Sequence, residues 1–429
     1  MAKKSMISYI LPSLIASLFL GIYVLVDGGF IGLKLGDVGL TAINLAWPIV
    51  AFMQTIGLAI GISGGIRASI AEGEKKLELK NKIMNSTILI LLAMSVFFTI
   101  LISLLAKPLL VWSGATGIVL EHGYNYLIVM ALCAIFHIFS GGLTPLLKNE
   151  GKTKTAMMVS IGATIINFVF DYVFIFALNM DLVGAAIASV MSQAFIAIGG
   201  FILLKPKLKL EKPILKPILL GSLAPFALNY AYSIIIILNN TVCLKYGGNS
   251  ATAAYTLFSY LLYIVQASAS GSGDGIQPLV SYYYGENNKH KLNELYFKTL
   301  ALGFVFSSII ILSFFLLKKQ IPLLYNLSEE AVEYYNMGFY YYFGAFFLLV
   351  ITRINGCFLY SANKLWGANL LTLLEPLALT PIFLILFSYL FKMQGVFSSF
   401  LLIQGILLVV SLILIYYLYL RKEKNYARG

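Results

Sequence analysis

Two acids, Asp27 and Asp171, stand inside long apolar runs, and each has a polar residue four positions before it: Tyr23 ahead of Asp27, Asn167 ahead of Asp171. In a helix that spacing puts both members of a pair on one face, one turn apart. A phenol, an amide and the hydroxyl of Ser189 can satisfy carboxylate oxygens or help ligate a hard cation such as Na⁺. Two carboxylates brought together in a dry site cannot both ionise freely, so the pair would act as a coupled proton store that a cation could displace. The chemistry on offer is the uptake and release of H⁺ or Na⁺. The plainer alternative is that each aspartate hydrogen-bonds a helix end near a membrane surface, but an ionisable group at membrane depth favours the functional reading.

The remaining polar residues at depth read differently. Arg353 and Glu375 fall at similar depth in successive antiparallel spans, where lone charges are too costly, and they are expected to form a structural ion pair. Asp274, within Gly271–Gly275, lies near the end of a span, in a glycine cluster that suits close packing. His137 is a lone histidine within a span and reads as satisfied core. Cys133, Cys243 and Cys357 have no metal or disulfide spacing, so no cofactor is expected and no metal beyond Na⁺. Pro12 and Pro225 interrupt corresponding helices and mark kinks or hinges.

These residues must be positioned by helices in a bilayer. Of 429 residues, 60% are apolar and 11% charged, far from an ordinary water-soluble domain. Runs of about 20 apolar residues, enough to cross the hydrocarbon, fall near 6–32, 41–66, 83–105, 124–146, 156–178, 184–204, 217–243, 251–276, 294–316, 333–359, 368–391 and 396–420. The reading is an all-α membrane protein of about twelve transmembrane helices. The net charge of +12 does not signal nucleic acid, because 23 Lys and Arg lie on one side of this map and six on the other, with Arg353 inside a span. That positive-inside bias predicts a multi-pass protein of the plasma membrane with both termini cytoplasmic. The opening Met-Ala-Lys-Lys leads into an apolar run too long for a signal peptide, so it reads as a retained first helix.

The chain is also duplicated. Pro12, Asp27 and Ser69–Gly73 return as Pro225, Asn240 and Ser281–Gly285, about 212 residues later, and Val183-Gly184 with Gln193 return as Gln394-Gly395 with Gln404. Duplicated hydrophobic halves are a signature of secondary transporters. The predicted division is a lobe over 1–204, a charged, proline-bearing linker over 205–216 and a second lobe over 217–429. Asp27 becomes Asn240 in the second copy, and an apolar position near Ile382 stands opposite Asp171, so the coupling chemistry is assigned to the first half alone.

In their joint order, Pro12, Val26–Gly32, Leu35-Gly36, Ser69–Gly73, Gly151–Lys154 and Asn167–Asp171, followed by Gly275–Gly285 and Glu375-Pro376, resemble the multidrug and toxic compound extrusion (MATE) family. The resemblance spans nearly the whole chain. It implies two six-helix lobes around a V-shaped cavity, and efflux of amphipathic, often cationic organic compounds driven by inward H⁺ or Na⁺ movement. It further implies an N-lobe cation site at Asp27, Asn167, Asp171 and Ser189, with Tyr23 beside them, and a bending role for Pro12; Asn240, an amide where the first copy has an acid, is a candidate residue of the substrate cavity. Relatives with carboxylates on the seventh and tenth helices are not matched here. The expected partners are small organic substrates and membrane lipids, with the chain acting as a monomer. A flippase for lipid-linked oligosaccharides or related lipids shares this plan and is the alternative. A membrane-embedded enzyme has no nucleophile–base pair or metal cluster to support it.

Overall fold

The computed structural model describes residues 6–206, 213–324 and 327–420, and within these the side chains at 20–26, 28, 29, 32, 36, 37, 40, 41, 44, 249, 324 and 420 are left aside. The side chain of Tyr23, half of the expected linker and both termini therefore lie outside the described residues. Helices dominate the rest: α1 (Ile7–Gly73), α2 (Leu77–Trp112), α3 (Gly117–Leu132), α4 (Ala134–Asn149), α5 (Thr153–Asp171), α6 (Asp181–Leu204), α7 (Leu215–Gly285), α8 (Lys289–Leu316), α9 (Gln320–Leu324), α10 (Glu329–Ser361), α11 (Leu365–Leu374) and α12 (Thr380–Ile415). Short π-helical turns follow α5, α11 and α12, at Tyr172–Ala177, Glu375–Leu379 and Tyr416–Leu420.

Eight helical stretches among the described residues are long and apolar enough to cross a membrane, or nine with α3 and α4, which meet at a 59° bend, taken as one span. One of them, Leu365–Tyr419, is 55 residues long. At 1.5 Å per residue it is more than twice the roughly 30 Å of hydrocarbon. It breaks at Lys392, whose φ of 51° is not helical, and so supplies two crossings. The same arithmetic makes α1, at 67 residues, and α7, at 71, two crossings each. The break in α7 is at Gly248, where a φ of 60° needs a residue without Cβ. Twelve crossings result, six from α1–α6 and six from α7–α12.

Two compact units emerge. One comprises Met1–Phe226 with Ser281–Asn287, the other Ala227–Val280 with Asn288–Gly429, so the division passes through α7. In the first unit, α1 and α4 pack backbone to backbone. A Cβ added at Gly57 would sit 2.8 Å from the carbonyl carbon of Ile138, and one at Gly61 would sit 2.7 Å from Cα of Gly142. Small residues allow helices to approach this closely where lipid supplies no hydrophobic drive. Ser63 Oγ donates to the carbonyl of Ile218 at 2.7 Å and Arg67 Nε to that of Pro217 at 2.9 Å, which binds the start of α7 to α1. The second unit has an aromatic core instead, with Phe258 stacked on Tyr342 at 4.3 Å and on Tyr335 at 5.1 Å.

Candidate functional site

Aromatic packing turns the Asp27 face of α1 toward α5. Phe30, nearly one turn beyond Asp27, lies 5.3 Å from the ring of Phe168 and 5.7 Å from that of Phe176, and Ile31 is buried. Asp171 is the last α-helical residue of α5; the backbone then widens into the Tyr172–Ala177 π-turn. Such turns change the direction of side chains and often occur at functional sites. α6 can come close to this turn because Gly184 has no Cβ: one added there would be 2.9 Å from Cβ of Phe174.

The result is a buried polar cluster. Asp27 is 5% exposed and Asp171 0%, and Asn167 and Ser189 are equally enclosed. The two carboxyl groups lie within direct interaction range of one another. Asn167 Nδ2 points to Ser189 Oγ at 3.5 Å, which places α6 beside the pair. Asp27 Oδ1 and both carboxyl oxygens of Asp171 nevertheless find no hydrogen-bond partner among the described residues. Two carboxylates are acceptors only, so neither can satisfy the other. Leaving such groups unpaired in a dry interior costs several kcal/mol each, by the usual magnitude for buried ions. A proton or a hard monovalent cation fits this oxygen-rich donor set and would relieve that cost.

The other residues singled out from the sequence are placed as follows. The expected ion pair between Arg353 and Glu375 is not formed directly. Arg353 Nη1 donates to the carbonyl of Leu228 at 2.5 Å, Glu375 Oε1 accepts from Gln404 Nε2 at 2.7 Å, and the two charges interact only at longer range. The reason is geometric: Glu375 opens a π-turn and is captured by α12 before the guanidinium reaches it. Asn240 occupies the position of Asp27 in the second repeat, and its Oδ1 is buried without a partner. α1 runs through Pro12 as one continuous helix. His137 is buried and its Nε2 has no partner, so it is enclosed but not satisfied. Tyr360 donates to Asp274, holding that acid in a contact the sequence did not suggest.

Sequence reasoning assigned no role to Gln193 and Gln404, although their repeat positions matched. In the first unit Gln193 Oε1 accepts from Ser140 Oγ at 2.5 Å; in the second Gln404 holds Glu375. The signal was present: a primary amide inside an apolar span, repeated in both halves.

The MatE family model matches residues 12–173 and 225–362, one stretch in each half of the duplication. The chain belongs to the MatE family. Among sequence relatives of this MatE protein is the multidrug export protein MepA of Staphylococcus aureus (strain MRSA252), 22% identical over 97% of this chain and 94% of MepA. Among solved structures, a multidrug resistance MATE family transporter of the MOP superfamily in an outward-facing conformation superposes with a TM-score of 0.89, at 20% identity over 96% of this chain and 94% of the other. A MOP superfamily transporter from Pyrococcus furiosus, described as having a binding pocket of reversed polarity, gives 0.84 at 20% identity over 95% and 94%. The MatE chain is thus a multi-pass membrane transporter with the fold of that family.

Proposed function

We propose that this protein exports amphipathic, often cationic organic compounds across the plasma membrane in exchange for H⁺ or Na⁺, by alternating access. The observation that carries the reading is the Asp27–Asp171 pair, enclosed in one unit with three carboxyl oxygens unsatisfied. An incoming proton or Na⁺ is held by these two acids, with Asn167 and Ser189 lining the same pocket and Tyr23 one turn from Asp27. The empty pair is destabilised by its own charge and the loaded pair is not; in the exchange cycle the ion binds more tightly to the conformation that keeps the pair enclosed. A ligand moves a conformational equilibrium only by such a difference, and drug and ion are linked through it reciprocally. The similarity to a multidrug export protein supports the substrate class. The basic side of the map supports cytoplasmic termini, and the duplication of the sequence supports two lobes.

The test is dye efflux from proteoliposomes, with proton and sodium gradients imposed in turn. Asp171→Asn is expected to abolish gradient-driven ethidium efflux at unchanged protein level, and Asp27→Asn to do the same. Normal efflux by Asp171→Asn would refute the assignment. The gradient that supports wild-type efflux names the ion.

A further inference from the structure

A side-chain bond joins the two acid-bearing arms of the first unit beyond their acids. Lys34 Nζ on α1 donates to Asn179 Oδ1 at 2.6 Å. Lys34 follows Asp27 by seven residues, two helical turns, so it lies on the same face of α1 about 10 Å further along the axis. Asn179 follows Asp171 by eight residues, just past the Tyr172–Ala177 π-turn. Its place is set by a tight backbone turn: the Leu178 amide donates to the carbonyl of Val173 at 2.9 Å and the Met180 amide to that of Phe174 at 2.9 Å. Asn179 itself has a φ of 50°, a left-handed conformation that asparagine tolerates better than most side chains.

Between this bond and the acid pair lies an apolar layer. Ile31, one turn beyond Asp27, is 1% exposed, and Phe30 beside it meets Phe168 and Phe176. Tyr172 packs on Phe176 in turn, at 5.7 Å. Across such a layer a charge acts further than it does in solvent. A fixed positive charge at this end favours the ionised, empty pair over the loaded one. The positive-inside bias does not account for Lys34, which lies on the side of the map with six basic residues rather than 23.

We propose that Lys34, held in place by Asn179, is an affinity-setting residue of the ion site: its charge weakens cation binding at Asp27 and Asp171, so that the ion is released in each cycle. The inference rests on the exchange reading and adds to it a residue that touches neither ion nor drug. At about 10 Å the effect on ion affinity lies between about 2-fold and about 15-fold, for screening between that of water and that of a protein surface. The remaining charged groups at this end of the elements packed on α1 are Asp37 on α1 itself, Asp181 at the start of α6, Lys107 near the end of α2, and Glu121 and His122 in α3. All stay constant in the variants below, so differences between variants report Lys34.

The test titrates the ion rather than the drug. Ethidium efflux from proteoliposomes is measured against the concentration of the ion that drives it, and the unfolding temperature in detergent is measured against the same ion without any transport. Lys34→Met should lower the half-saturating concentration in both by about 2- to 15-fold. Lys34→Glu should lower it by a further factor of the same size, and Lys34→Arg, which keeps the charge, should retain the wild-type value. Asn179→Ala keeps the charge but frees it, and should fall between the arginine and methionine variants. A series graded by charge is not what a packing defect produces, since a loosened pocket raises the half-saturating concentration or lowers the maximal rate. Both side chains reach the surface, so the fold does not depend on them. An unchanged or raised value in Lys34→Met, or an arginine variant that behaves like the methionine one, would overturn the inference. Asp171→Asn keeps the two readings apart: wild-type stabilisation by the ion in that variant means that the acid pair is not the ion site, whereas loss of that stabilisation beside a flat Lys34 series removes the role of Lys34 alone.

Discussion

At the scale of single residues, the same repeat position has been put to different uses in the two halves. Asp27 and Asn240 correspond, yet one faces a second acid and the other leaves a neutral amide oxygen unpaired. Gln193 and Gln404 correspond as well, but their bonds differ in consequence. Ser140 has an alternative acceptor in the carbonyl of His137 at 3.0 Å, so losing Gln193 strands little. Losing Gln404 leaves an oxygen of Glu375 buried without a donor, in a residue only 9% exposed. Gln404→Leu is therefore expected to destabilise by about 1–3 kcal/mol, the cost of an unsatisfied buried polar group, and Gln193→Leu by clearly less. Thermal unfolding in detergent distinguishes the two; equal losses would contradict this account. The acid pair itself was legible in the sequence, since aspartates inside apolar runs announce themselves. The partners of Arg353 were not, because depth along two helices does not say which way each side chain turns.

At the scale of elements, breaks in the helices do the positioning. The π-turn after Asp171 and the one beginning at Glu375 both carry an acid at the junction, and neither leaves a mark in hydropathy. Gly184 and its counterpart Gly395 each lie beside the end of the preceding helix: a Cβ on Gly395 would be 2.4 Å from the carbonyl carbon of Phe387 if no atom moved, and one on Gly184 would be 3.0 Å from that of Phe174. Lys392 makes the reversal inside α12 with φ 51° and ψ −132°, a conformation that suits glycine. Replacing it by glycine is expected to raise stability by about 1 kcal/mol through relief of that backbone cost. A lower unfolding temperature for Lys392→Gly would show that the lysine side chain contributes more than the strain takes away.

At the scale of the whole molecule, the chain passes between its two units inside α7 rather than at the charged linker. Residues 207–212 lie outside the described residues, but the helix after them is bound to α1 by Ser63, Arg67 and the edge-to-face contact of Phe52 with Phe226 at 5.6 Å. A protease site placed in 207–212 should then yield two fragments that co-purify and retain efflux after cleavage. Arg67→Ala with Ser63→Ala should weaken that association. Fragments that separate at once on size exclusion would mean that the covalent link, and not the α7–α1 packing, holds the start of α7 in place.

The amino-acid sequence by itself determined the solvent, the helical class, the duplication and the identity of the acids, because each of these is written in composition or spacing and depends on no distant contact. Tertiary structure alone decided that Asp27 and Asp171 face one another, that Glu375 goes to Gln404 instead of Arg353, and that Lys34 on α1 is bonded to Asn179 beyond α5. The physical reason is common to all three. A side chain's partner across a helix interface is set by rotation and by small backbone irregularities, and these shift a contact by several ångströms while leaving the hydrophobic pattern unchanged.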